Sequence, residues 1–291
     1  MKAANTLTQR KIVHRTRGNR QGPITRLMSP SDLGQVAKPF VFLDLFESDG
    51  GLMDMPVHPH SGIGTITLFT RGDVHFDDPD SGTGTIGYGG VEWSRAGGGM
   101  WHGKELAAGS SPRIQGFQLW IALPPELENG ASESQYLEAS QMQHAGPAHV
   151  IAGAYDGVQS PVRTPDGVNY LLVTLRSGET WTYQPPTGHS VAWLALAQGQ
   201  VEAGEQLSVG EMAVFDRGEA PLRLTANGGE DAVFVLGSAV PHPHDLHLGY
   251  YSVHSSSEAL ERGERRIAEL GEKLAAAGHR RTASGATPVF R

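Results

Sequence analysis

The chain has 291 residues, with 38 Gly, 18 Pro, no Cys and a formal net charge of -8. That length allows one large or two medium domains, and a turn-rich composition with 19% charged residues excludes a helical bundle or a disordered chain. The negative balance argues against nucleic acid as a partner, and the missing thiols exclude disulfides and cysteine-ligated metal.

The opening stretch "MKAANTLTQRKIVHRTRG" has no apolar core of signal-peptide length, and no long apolar run follows. A soluble, cytoplasmic protein with no membrane association is expected. Residues 1–37 mix strand-like pieces such as "QRKIVHRT" with the turn-rich "SPSDLG". "KPFVFLDLFE" reads as an apolar, aromatic strand. From there to "GFQLWIALPP" short strands alternate with glycine turns, the rhythm of a sandwich or barrel. "GTGTIGYGG" has the glycines of a dinucleotide loop but no strand-to-helix context, so it reads as hairpin punctuation. Asp77, Asp78 and Asp80 lack the spacing of a calcium loop and read as a turn. His75 reads as a surface strand residue. Trp93, Met100, Trp101, Phe117 and Trp120 read as core, with some free to line a cavity.

"PPELENGASESQYLEASQ" is polar, opens on two prolines and reads as a linker over residues 124–141. A second strand series follows, so two β units of similar size flank one break, as an internal duplication would give. The expected division is a barrel over 1–123, the linker, a second barrel over 142–254, a helix over 255–278 and a basic tail over 279–291. In the helix, Leu260, Ile267, Leu270, Leu274 and Ala277 fall on one face, and Ser255 with Glu258 makes a capping-box signature. In the tail, Val289 and Phe290 are apolar enough to dock.

"MPVHPHSGIGTITLFTRG" places His58 and His60 two residues apart at the entry to a strand, so both rings share one face. "RAGGGMWHGKEL" places His102 after a glycine turn, and strands of a closed barrel bring such segments side by side. Three imidazoles on a rigid wall leave coordination positions open for water or substrate. His242, His244 and His247 in "PHPHDLH" have no later glycine-rich partner and read as structural. The second series offers a lone His189 where a ligand pair would be, so only the first barrel is expected to bind metal and the second to be filled by apolar side chains.

"KPFVFLDLFE", "HPHSGIGTIT", "RAGGGMWHGKE" and "GFQLWIALP" together resemble the pirin family, over roughly residues 38–123, and "PHPHDLHLGYYSVHSSSEAL" resembles its return segment and terminal helix. The resemblance implies an all-β fold of tandem cupin barrels with a C-terminal helix. It implies one divalent metal, Fe(II), held by His58, His60 and His102, although imidazoles also accept Ni, Cu, Mn or Zn. Some pirins cleave the flavonol quercetin with oxygen and others are regulators of transcription. The implied function is therefore a metal-dependent dioxygenase acting on a small aromatic substrate, or alternatively a metal- or redox-sensing protein that meets a protein partner, or a barrel whose site is lost. Two departures touch the site. Gly64 stands where the family has Glu, and Lys104 stands where it has its fourth ligand, a Glu. A bulge at Gly103 would turn Glu105 inward and Lys104 away. Glu105 is then expected to act as the site carboxylate, as ligand or base, directly or through a water, with a three-histidine site completed by water as the alternative.

Overall fold

The computed structural model describes residues 9–50, 56–78, 80–103 and 105–276. Antiparallel strands dominate, and they separate into two compact units.

One unit comprises residues 19–142, 161–165 and 242–291. Its seven-stranded sheet is ordered Glu133–Leu137, Val91–Arg95, Ile63–Arg71, Ile114–Ala122, Phe40–Ser48, Ile24–Met28 and Asn19–Gln21. A three-stranded sheet, Leu106–Ala108, Val74–Asp78 and Gly82–Ile86, faces it. Phe46, Phe69, Ile114 and Tyr136 from the first sheet pack on Val74, Phe76 and Ile86 from the second. Strand alternation explains this inward set, since every second side chain of Phe40–Ser48 and Ile63–Arg71 points the same way.

The other unit comprises residues 1–18, 143–160 and 166–241. Its seven-stranded and four-stranded sheets enclose an apolar core that includes Leu171, Val173, Leu194, Leu196, Phe215, Leu224, Phe234 and Leu236. His189 sits at 5% exposure, its Nδ1 3.0 Å from Ser238 Oγ, and Ser238 also meets the Tyr183 hydroxyl at 2.6 Å. This lone histidine is satisfied by the Ser238 hydroxyl.

Three boundaries differ from those read in the sequence. Strand Ile12–Thr16 pairs with Met212–Phe215, so the N-terminal strand completes the second unit's sheet. Residues 124–141 are no free linker, because Glu133–Leu137 pairs along Val91–Arg95 and buries Tyr136 and Leu137. Residues 242–254 belong with the first unit, where His247–Gly249 and Ser252–His254 form a hairpin.

The helix runs Ser257–Ala276 and buries Ala259, Ile267, Leu270 and Leu274. Its cap is Ser256, whose hydroxyl accepts the Ala259 N–H at 3.2 Å, a contact worth about 1 kcal/mol. The expected cap, Ser255, instead gives its N–H and hydroxyl to the buried Glu128, both at 2.7 Å. Two glycines let this helix approach its support. A Cβ at Gly271 would lie 2.9 Å from the Trp101 ring, and one at Gly263 would lie 2.5 Å from His254 Nε2. Ala277, Lys104, Val289, Phe290 and the tail 279–291 lie outside the described residues.

Candidate metal centre

His58–His60 and Met100–His102 form a two-stranded antiparallel pair in which His58 faces His102 and His60 faces Met100. This register explains how residues far apart in sequence meet. One nitrogen from each of His58, His60 and His102 lies within 4.8 Å of the others, the one cluster of three or more potential ligands among the described residues. The ring centroids are 4.8 to 5.1 Å apart.

Two of the three rings are aimed from behind. His58 Nδ1 lies 2.9 Å from the Pro56 carbonyl, and His60 Nδ1 lies 3.2 Å from the Tyr251 carbonyl. A carbonyl can only accept, so both Nδ1 atoms carry the proton and both Nε2 atoms keep a lone pair. His102 Nδ1 is 3.8 Å from Glu92 Oε1, while its Nε2 is buried without a partner. Outer contacts of this kind fix ring orientation at metal sites. Burial lowers all three imidazole pKa values, that of His60 to about 3. All three are therefore neutral at pH 7, the form that ligates. The unpartnered His102 Nε2 and the converging neutral rings fit a divalent transition metal.

Glu92 is 5% exposed, accepts the Tyr136 hydroxyl at 3.0 Å and has Thr67 as a second hydrogen-bond partner. Burial raises the pKa of Glu92. It lies behind His102 without a direct hydrogen bond to it, and nothing in the sequence singles it out. Alternation in "VEWSR" sets Glu92 opposite to Trp93, but nothing local says which face is inward.

Aromatic rings flank the cluster. Trp120 stacks on Phe42 at 4.1 Å and meets the His60 ring edge-on at 5.0 Å. Arg26 lies 4.0 Å over the other ring of that stack, Phe42, and is paired with Asp44. Tyr251 reaches the site from the hairpin of residues 247–254. That hairpin is anchored by Ser61, whose hydroxyl contacts Ser252 Oγ at 2.8 Å and His254 Nε2 at 3.0 Å. His254 is in turn backed by Glu128 at 3.4 Å. The segment read as a structural return thus supplies Tyr251 to the metal centre, whereas His242 and His244 lie outside the cluster.

Residues 21–121 match the family model described as Pirin. A pirin-like protein of Caulobacter vibrioides is 30% identical over 233 residues, 76% of this chain and 82% of its own. The chain belongs to the pirin family. A Pseudomonas aeruginosa protein, named provisionally as a quercetin 2,3-dioxygenase, is 28% identical over 240 residues, 76% of this chain and 82% of its own. Quercetin 2,3-dioxygenase from Acinetobacter baumannii shares the fold, with a TM-score of 0.76 at 24% identity over 92% of this chain and 98% of that one. The expected cupin fold is thereby borne out.

Both departures from the pirin pattern have a structural setting. At Gly64 a Cβ would lie 2.2 Å from Trp93 Cη2, so the indole fills the space a larger residue needs. Gly64→Ala should therefore cost roughly 1–3 kcal/mol, read as a lower urea midpoint with unchanged slope. After His102 the strand breaks at Gly103, whose φ is 127°. The Gly103 N–H donates to Glu105 Oε2 at 2.8 Å, and Glu105 is 3% exposed. Its Oε1 is buried without a partner, and burial pushes its pKa up to about 7. Glu105 is thus turned inward, yet its oxygens are not part of the three-nitrogen cluster.

Proposed function

We propose that this pirin is a metal-dependent dioxygenase of quercetinase type, acting on a planar, flavonol-like substrate that presents adjacent oxygens. The observation that carries the reading is three neutral imidazoles converging beside the aromatic rings of Trp120 and Tyr251. His58, His60 and His102 are the ligands, and Fe(II) is the metal, with nickel, copper, manganese or zinc compatible with the same donors. A bound divalent metal would lower the pKa of a substrate hydroxyl and make its ring electron-rich toward oxygen.

The chain's own residues do the rest. The carbonyls of Pro56 and Tyr251 hold the His58 and His60 rings in orientation. Trp120 and Phe42 give a flat, water-excluding surface for an aromatic ring. Glu105 Oε1 takes the hydroxyl proton, directly or through a water. A carboxylate with a pKa raised to about 7 is suited to act as a base near neutrality.

The test is metal analysis of protein expressed without supplementation, followed by oxygen uptake with quercetin. The expected result is about one metal per chain and oxygen consumption in step with flavonol loss, both absent in His60→Ala. Metal without oxygen uptake from iron-, nickel- or copper-loaded protein would favour the sensing, partner-binding role instead.

A further inference from the structure

Tyr251 has φ 56° in the two-residue loop between strands His247–Gly249 and Ser252–His254. Left-handed backbone at this place in a hairpin loop normally falls to glycine or asparagine, because a Cβ crowds the following carbonyl. A bulky ring kept there is strained, and such strain is found where a side chain serves a purpose beyond stability. The turn is held rigidly. The neighbouring Tyr250 N–H donates to Glu264 Oε1 of the helix at 2.8 Å, and a Cβ at Gly249 would lie 2.3 Å from that oxygen.

The main-chain carbonyl of Tyr251 serves His60, but any residue in the same conformation would supply that oxygen. What the tyrosine adds is its ring. Its centroid lies 5.7 Å from that of His58, 5.9 Å from His60 and 6.3 Å from Trp120. Tyr251 is nevertheless 42% exposed, so one side of the residue covers the ligands and the other remains open.

We propose that the Tyr251 ring is a specificity-determining wall of the metal centre, against which the aromatic plane of a ligand lies when it chelates through adjacent oxygens. The proposal rests on the reading of the site as a metal centre open to aromatic ligands. It does not require that the ligand be a flavonol or that it be oxidised. Trp120, backed by Phe42, packs behind the ligands and beside Tyr251, and the exposed face of Tyr251 selects flat ligands over equally good chelators that lack a ring.

The test uses the full-length chain loaded with Ni(II) and two probes. One is 4-nitrocatechol, planar and aromatic. The other is acetohydroxamate, which also chelates through two oxygens but has no ring. Tyr251→Gly keeps the carbonyl and accepts the positive φ, so Ni(II) affinity should stay within about twofold of wild type and the melting temperature should not fall. Its affinity for 4-nitrocatechol should drop about tenfold, while that for acetohydroxamate changes less than about twofold. Tyr251→Phe should behave as wild type with both probes. An unchanged 4-nitrocatechol affinity in Tyr251→Gly, an equal loss for both probes, or no binding of 4-nitrocatechol by the loaded wild type would each overturn the proposal. Oxygen uptake with quercetin is read separately. Wild type that discriminates through Tyr251 yet consumes no oxygen rejects the flavonol reading and leaves the wall in place.

Discussion

Alanine at His60 should abolish stoichiometric binding of a divalent transition metal without unfolding the protein. His60 is 2% exposed, its Nδ1 is engaged by a carbonyl, and its other nitrogen faces those of His58 and His102. Removing it leaves two imidazoles. Changes to outer contacts alone weaken metal sites by about 10–100-fold, so loss of a ligand should exceed that. The fold should survive because the cores around Phe46, Phe69 and Phe76, and around Leu171 and Leu194, do not depend on the imidazole. Metal content after desalting, with circular dichroism as the check on folding, measures this. Unchanged metal in the double variant His58→Ala/His60→Ala would show that these histidines do not hold it.

Glu105→Gln should stabilise the metal-free protein at pH 8 and leave it nearly unchanged at pH 4 or below. Burial raises the Glu105 pKa from about 4.5 to about 7, so the folded state holds this proton more tightly than the unfolded state does. The associated stability is fully present below the unfolded value. It declines as pH rises and is lost once pH passes the folded value. A gap of that size corresponds to roughly 3 kcal/mol, or several degrees of melting temperature, in the apo protein. Glutamine is neutral at every pH, and its carbonyl can still accept the Gly103 N–H. Thermal melts in chelator at the two pH values read the effect directly. A shift of equal size at both would mean that the ionised carboxylate is not destabilised by its surroundings.

The ligand trio was legible in the sequence because strand geometry is periodic. Two histidines two residues apart must share a face, and a third after a glycine turn can meet them in a barrel. The supporting residues were not legible in this way. Tyr251 and His254 lie in a segment whose family resemblance does not say which side chains meet the site, Glu128 lies in the stretch read as a linker, and each acts through a contact spanning more than a hundred residues of chain. Ser255 satisfied the capping pattern, but a buried carboxylate took its hydroxyl and the next serine capped the helix. Residues 124–141 read as a linker because prolines and polar residues dominate them. Yet alternation within "ESQYL" was enough to seat Tyr136 against the barrel core and under Glu92. Local propensity was outweighed there by burial of a single aromatic ring.

The pairing of Ile12–Thr16 with Met212–Phe215 bears on how the chain reaches its native state. Strand Ile12–Thr16 must wait for a partner synthesised about 200 residues later, at ordinary elongation rates of about 5–20 residues per second. The hairpin that carries Tyr251 is made later still, although it completes the earlier unit. The earlier unit therefore cannot be completed until residues 242–254 are translated, and strand Ile12–Thr16 stays unpaired until Met212–Phe215 is made. Contacts so distant in sequence favour slow folding, with sheet edges exposed in the meantime. A cut between residues 123 and 142 would not release two independent halves. The first half would lack Tyr251 and the hairpin that backs the histidine cluster, and would carry an orphan strand belonging to the second.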